Sequence, residues 1–328
     1  MNPSPLPFDA LDPDAVLGCV EALGVRTDGR LLALNSYENR VYQVGVEDGV
    51  PLIAKFYRPA RWSDAQIAEE HAFLAELVAA EVPAVAPLAF ASRTLHSRGG
   101  YRYALFPRRG GRAPDLSLPA HLEWLGRFIA RIHAVGRTQR FAHRLRLDPA
   151  ARCAETIAFV EANAFAPEYL RPAWSMAARE LADGIGGAFE GHGALATLRL
   201  HGDCHPGNVM WTDAGPHFVD FDDSRSGPAV QDFWMLLSGD EHAMGLQLGK
   251  FLAGYELFRE FDDRELQLIE ALRTLRLIHY SAWIARRWED PAFPAAFPWF
   301  DTPRYWQDRI LELREQIALM NEAPLQPV

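Results

Sequence analysis

Leu200-His201-Gly202-Asp203-Cys204-His205-Pro206-Gly207-Asn208, followed a few residues on by Phe218-Val219-Asp220-Phe221-Asp222, is the stretch that decides how this chain reads. An Asp, an Asn five positions later and a second Asp beyond a short hairpin supply three oxygen-bearing groups with distinct uses. In phosphoryl transfer one carboxylate faces the attacking hydroxyl, while an amide oxygen and a second carboxylate hold Mg²⁺ against the phosphates of ATP. Asp203 takes the first role in this reading, and Asn208 and Asp220 take the second. Mg²⁺ is a hard cation that prefers such oxygen donors. Asp222 is a further ligand candidate and Asp223 a surface acid. Phe218, Val219 and Phe221 around Asp220 read as a buried strand that contains one charge.

Outward from this stretch, the order of elements is informative. Asp12 caps a short helix with Pro13 at its first position. Strand patterns follow at Leu31–Leu34, Arg40–Val46 and Leu52–Tyr57, with a turn at Glu47-Asp48-Gly49. Ser63-Asp64-Ala65-Gln66 is a capping box opening a helix to about Ala80. Two more strands are expected at Leu88–Leu95 and Tyr101–Phe106. After Pro107-Arg108-Arg109-Gly110-Gly111-Arg112 the pattern turns helical. Leu122, Leu125, Ile129 and Ile132 share one face, and helices are expected near 151–163, 172–190, 245–258, 263–288 and 304–320. The expected fold is α+β and bilobed: a small β-rich lobe (1–107) with one inserted helix, and a larger, mostly helical lobe (108–328).

Lys55 closes the third strand among apolar neighbours, where an ammonium requires an anionic partner. Phosphate oxygens and Glu70 on the following helix are the expected partners, with Glu69 the alternative. The turn Asn35-Ser36-Tyr37-Glu38-Asn39-Arg40 contains no glycine, so the phosphate-covering loop departs from glycine-rich patterns and no Walker motif replaces it. Ser36 is the candidate contact to ATP there. His201 and His133 read as packed histidines and Asp232 as a cap or a strut to loop amides. His205 is either a phosphate-facing group or a loop stabiliser. Cys204 and His205 lack a further ligand pair at zinc spacing.

The remaining properties exclude classes. The net charge of −10 over 328 residues argues against a nucleic-acid surface, and no apolar run approaches the ~20 residues of a membrane helix. Three scattered cysteines suggest no disulfide framework. Met1-Asn2-Pro3-Ser4-Pro5 lacks the features of a signal peptide. The expectation is a soluble cytoplasmic protein.

The His-Gly-Asp-x₄-Asn pattern, with Lys55 and Asp220, resembles the aminoglycoside phosphotransferase and choline kinase-like branch of the protein-kinase fold. Leu34–Gln43, Lys55-Phe56-Tyr57-Arg58-Pro59, Leu198–His205 and Arg287-Trp288-Glu289-Asp290-Pro291-Ala292-Phe293-Pro294 more closely resemble the bacterial stress response kinase A family. That resemblance implies a cytoplasmic, monomeric, ATP- and Mg²⁺-dependent serine/threonine protein kinase of the stress response. By it Asp203 is the proton acceptor, Asn208 and Asp220 are metal ligands and Ser36 is an ATP-site position. The wider branch implies an alternative, a kinase of a small amino alcohol, sugar or antibiotic, for whose cationic acceptor Glu155, Glu161 and Glu168 offer acidic groups. The aromatic, proline-rich stretch from Arg286 to Trp306 reads as core and lobe-capping surface, or else as an acceptor groove.

Overall fold

The structure, a computed structural model, describes residues 7–163, 165–191 and 195–328. In the small lobe, α1 (Pro13–Glu21) is capped by Asp12, whose carboxylate accepts from the Ala15 amide at 2.7 Å. It buries Val16, Cys19 and Val20 against the sheet. Strands β1 (Thr27–Leu34), β2 (Arg40–Val46) and β3 (Leu52–Phe56) precede α2 (Asp64–Ala79), and β4 (His96–Arg98) and β5 (Tyr101–Pro107) complete an antiparallel sheet of order β1-β2-β3-β5-β4. Ser63 and Gln66 make both bonds of the expected capping box. Alternation along β3 sends Ala54 and Phe56 into the core under α1. Lys55 therefore falls on the opposite face, toward α2.

One expected strand is a turn. At Leu88–Leu95, Ala91 and Ser92 both take positive φ (47° and 65°), and Phe90 and Arg93 exchange both backbone hydrogen bonds at 2.8 and 3.0 Å. The run folds back on itself, and the paired strand starts only at His96.

The larger lobe contains α3 (Pro119–Gly136), α4 (Pro149–Ala162), α5 (Arg171–Glu190), β6 (Leu198–Leu200), β7 (Val209–Thr212), β8 (Gly215–Phe218), β9 (Arg225–Gly227), α6 (Glu241–Tyr255), α7 (Leu268–Ala285), α8 (Ala292–Ala296) and α9 (Pro303–Leu319). β6 pairs with β9 and β7 with β8, both antiparallel. Leu125, Ile129 and Ile132 of α3 and Phe251 and Tyr255 of α6 enclose Leu200, Val209, Phe218 and Phe221. This core is the floor on which the Asp203 and Asp220 loops sit. A second core joins α4, α5, α7 and α9 and takes in Phe293, Phe297, Phe300, Tyr305 and Trp306 of the aromatic stretch. Asp232 does not cap a helix. Short 3₁₀ turns hold 229–236, and Phe233 (φ −136°) breaks them to put its ring 4.5 Å from that of Phe251.

Cys19, Cys153 and Cys204 are all buried free thiols. Burial pushes the Cys153 thiol up to about 11 and raises those of Cys19 and Cys204 as well. No helix among the described residues is long and apolar enough to cross a membrane.

Candidate active site

Asp203, Asn208 and Asp220 lie on adjoining loops because β6 delivers one loop and the β7–β8 hairpin returns beside it. Asn208 donates its side-chain amide to the Asp203 carbonyl at 2.9 Å, which leaves its amide oxygen without a hydrogen bond among the described residues. The Asn208 carbonyl accepts from the Val219 amide at 3.0 Å, just before Asp220. Asn208 and Asp220 are thus neighbours across the mouth of the hairpin, presenting two hard oxygen donors that fit a divalent cation. Asp220 is not inside a strand as expected. It follows β8 in a left-handed conformation (φ 58°) with a half-exposed side chain. The turn lifts the carboxylate out of the apolar ladder and leaves it about half in solvent.

Asp203 projects from the same loop. Arg276 of α7 donates to its Oδ1 at 2.8 Å, and the His205 ring lies 3.7 Å from Oδ2. Burial lowers the His205 pKa, with Asp203 pulling the other way and Arg276 adding to the fall. The second ring nitrogen of His205 accepts from the Gly207 amide at 3.0 Å. Arg276 is absent from the sequence reading. Nothing in a helical stretch 73 residues away connects it with this loop.

Beneath the loop, Asp232 is fully buried and accepts from the amides of His201 and Gly202, both at 2.8 Å, and from the His133 ring at 3.1 Å. This is the strut reading. His133 and His201 are packed: the first also bonds the Tyr255 hydroxyl at 2.8 Å, and the second contacts the Val219 carbonyl at 2.9 Å.

Gly202 is fixed by geometry. Its φ is +86°, and a Cβ there would collide with the Asp223 carbonyl. Gly202→Ala should therefore cost about 1–3 kcal/mol and displace the Asp220–Asp223 segment. Denaturant midpoints and turnover would both fall; an unchanged midpoint would show that the segment yields freely.

Lys55 sits at the meeting of the lobes. Its ammonium lies 2.8 Å from Asp220, 3.2 Å from Asp222 and 3.9 Å from Glu70. Burial alone would depress the lysine, but those three carboxylates hold it protonated, with a pKa above its ordinary value. Glu70, the expected partner, is held more tightly by Arg144 at 2.5 Å. Glu69 instead accepts the backbone amides of 142–144. Asp222 is buried between Lys55 and Arg61. Burial pushes its carboxyl up, but the two cations prevail and hold it at about 2. Asp223, read as a surface acid, pairs with Arg61 and Arg225 at 2.9 and 2.6 Å. Ser36 lies partly buried in the β1–β2 loop.

Residues 30–269 match a family described as the phosphotransferase enzyme family. Over 326 residues the chain is 44% identical to stress response kinase A of Escherichia coli K12, spanning 99% of this chain and 98% of that protein. It is equally similar, with the same coverage, to serine/threonine protein kinase RdoA of Salmonella typhimurium. The chain belongs to the phosphotransferase enzyme family, among the stress response kinase A proteins. With the family match and these kinase-named relatives, the chain is an ATP-dependent kinase. Solved structures show the same fold at low identity. Amicoumacin kinase, in complex with AMP-PNP, Ca²⁺ and Ami, aligns with a TM-score of 0.73 at 17% identity over 96% of this chain and 95% of that one. A microcompartment-associated aminopropanol kinase aligns at 0.68 and 19% identity over 92% and 94%. The family relation and the bilobed α+β fold agree with the resemblance drawn from the motifs.

Proposed function

We propose that the chain is a Mg²⁺-dependent serine/threonine protein kinase of the bacterial stress response, working as a cytoplasmic monomer. The observation that carries this reading is the gathering of Asp203, Asn208 and Asp220 on adjoining loops, with Asp220 2.8 Å from Lys55. Residues 1–107 would hold ATP, and 108–328 would supply the loop chemistry and the acceptor surface. Asn208 and Asp220 would hold Mg²⁺, which neutralises charge on the phosphates. Lys55, braced by Glu70, would turn to phosphate oxygens, and Ser36 would contact them from the β1–β2 loop. Asp203 accepts the hydroxyl proton as the serine or threonine oxygen bonds to the γ-phosphorus and the bond to the ADP oxygen breaks. One Asp203 oxygen stays with Arg276 and the other receives the proton.

The 44% identity to a protein named a serine/threonine kinase supports a protein acceptor. The small-molecule alternative is favoured by the neighbours' names, amicoumacin kinase and aminopropanol kinase. Two features weigh against a cationic acceptor. Arg276 places a positive charge on Asp203, and Glu161, one of the acids noted for such an acceptor, is paired with Arg179 at 2.7 Å. Purified protein with labelled ATP, offered proteins, peptides and a panel of small alcohols, decides the matter. Label confined to the alcohols would retire the protein-kinase reading.

The site also bears on regulation. Many kinases carry an arginine at the position of Gly202 that pairs with an activation-loop phosphate. Here that position has no room for a side chain, and only Ser224-Arg225-Ser226-Gly227-Pro228 follows the acidic segment. Phosphatase-treated enzyme should remain active; dependence on rephosphorylation would contradict this.

A further inference from the structure

The β1–β2 loop, which lacks the glycines of a phosphate-binding turn, is held from the opposite lobe. Glu38 Oε2 accepts from the Trp283 indole at 2.9 Å and pairs with Arg287 at 2.7 Å. Asp290 pairs with Arg40 at 2.9 Å and with Arg58 at 2.8 Å. Arg58, at the end of β3, also donates to the carbonyls of Tyr37 and Glu38, at 3.2 and 2.9 Å. The Tyr37 ring leans on Phe297 at 5.1 Å between centroids. These are not surface pairs: the side chains of Asp290, Arg58 and Glu38 are only 6, 10 and 13% exposed. Exposed ion pairs contribute little, whereas breaking a buried one leaves a charge without compensation.

The network also reaches the acidic segment of the site. Arg61 extends from Glu38 at 3.7 Å to Asp222 at 2.5 Å and Asp223 at 2.9 Å. The stretch 283–297 is therefore connected to the loop that carries Ser36 through Glu38, Arg40 and Arg58, and from Glu38 through Arg61 to the residues beside Asp220.

We infer that residues 283–297 form a bracket from the large lobe that positions the β1–β2 loop over the nucleotide, with Glu38, Arg58 and Asp290 as positioning residues. The inference rests on the reading of Ser36 as an ATP contact and adds what holds that contact in place. In a glycine-rich loop the phosphates themselves order the backbone. Here the order comes from side chains of the other lobe, before any nucleotide arrives, and the two lobes are tied together at the edge of the cleft.

The test uses the full chain with Asp290→Ala and, separately, Glu38→Gln, which preserves shape and carries the test if the first variant does not fold. Amide exchange over residues 35–40 without nucleotide should quicken by about tenfold or more, with α7 protection unchanged. The Kd and KM for ATP should rise about tenfold, equivalent to ~1.4 kcal/mol, while kcat at saturating ATP changes much less. Asp290→Glu should recover most of the affinity. Unchanged loop exchange would overturn the bracket itself. Faster exchange with unchanged ATP affinity would overturn the positioning role. If Ser36→Ala also left ATP affinity unchanged, the fault would lie in the reading of this loop as a nucleotide contact, and the positioning role would fall with it. Absence of protein phosphorylation would count against the proposed acceptor alone, because exchange and ATP binding are read without one.

Discussion

Asp203→Ala is expected to lower turnover roughly 10²–10⁴-fold, the usual contribution of a positioned general base, while ATP still binds. The two effects separate because Asp203 lies on the acceptor side in the proposed arrangement. Its contacts are Arg276 and His205, whereas Lys55, Asp220 and Asn208 face the nucleotide in the proposed arrangement. Asp203→Asn keeps the shape and a bond to Arg276 but cannot accept the proton, so it should lose nearly as much rate as the alanine variant. Single-turnover rates alongside ATP titrations would measure both quantities. Wild-type turnover in Asp203→Ala would remove the residue from the chemistry and revive a nucleotide-binding scaffold without catalysis.

Lys55→Met should be the most destabilising change at the site, costing about 3–5 kcal/mol, as expected when one partner of a buried charge cluster is removed. Asp222 and Glu70 are almost wholly buried beside it. Asp220 is half exposed, and its share is discounted for screening. Lys55→Arg keeps the charge and should recover much of the loss.

The pH dependence gives this prediction a sign. In the wild type Asp222 is held at about 2, below its ordinary 3.8. Its contribution is present above pH ~4 and lost as pH falls through ~2. In Lys55→Met the remaining crowd of carboxylates favours protonation in the folded state. That variant should therefore gain stability relative to wild type on acidification below neutrality. Parallel urea curves at several pH values would test it. A constant gap between the two proteins would mean that Lys55 acts through packing and not through charge.

Much of this site was legible before any coordinates because its chemistry is local in sequence. Asp203 and Asn208 share one loop, Asp220 follows one hairpin later, and the capping box at Ser63 and Gln66 is a pattern of adjacent residues. Lys55 was recognisable as a charge in an apolar strand. Where the reading missed, distance or backbone conformation intervened. Arg276 comes from α7, and a helix face gives no address for the loop it touches. Glu70 was expected to serve Lys55, but Arg144, from a loop with no periodic signal, holds it more closely. Asp220 looked like a strand residue because apolar neighbours flank it; a left-handed turn is not encoded by hydrophobicity. The same limit hid the turn at Ala91 and Ser92. The aromatic stretch after Arg286 reads as core and lobe-capping surface, or else as an acceptor groove; Phe293, Phe297, Phe300, Tyr305 and Trp306 are core, while Trp299 is exposed. Its grip on Glu38 spans more than 240 residues and left no trace in the pattern.

The inaccessibility of the three cysteines has a practical consequence for chemistry under oxidising conditions. Peroxide attacks thiolates, and reaction requires both deprotonation and access. Cys204 adjoins Asp203 in sequence, yet it is sealed in the core and kept in its neutral form. Sulfenic acid formation should be slow at that position, so peroxide has no ready handle on the loop proposed to perform phosphate transfer. Turnover should therefore persist after peroxide exposure without added thiol reductant; a loss that a thiol reductant restores would contradict this.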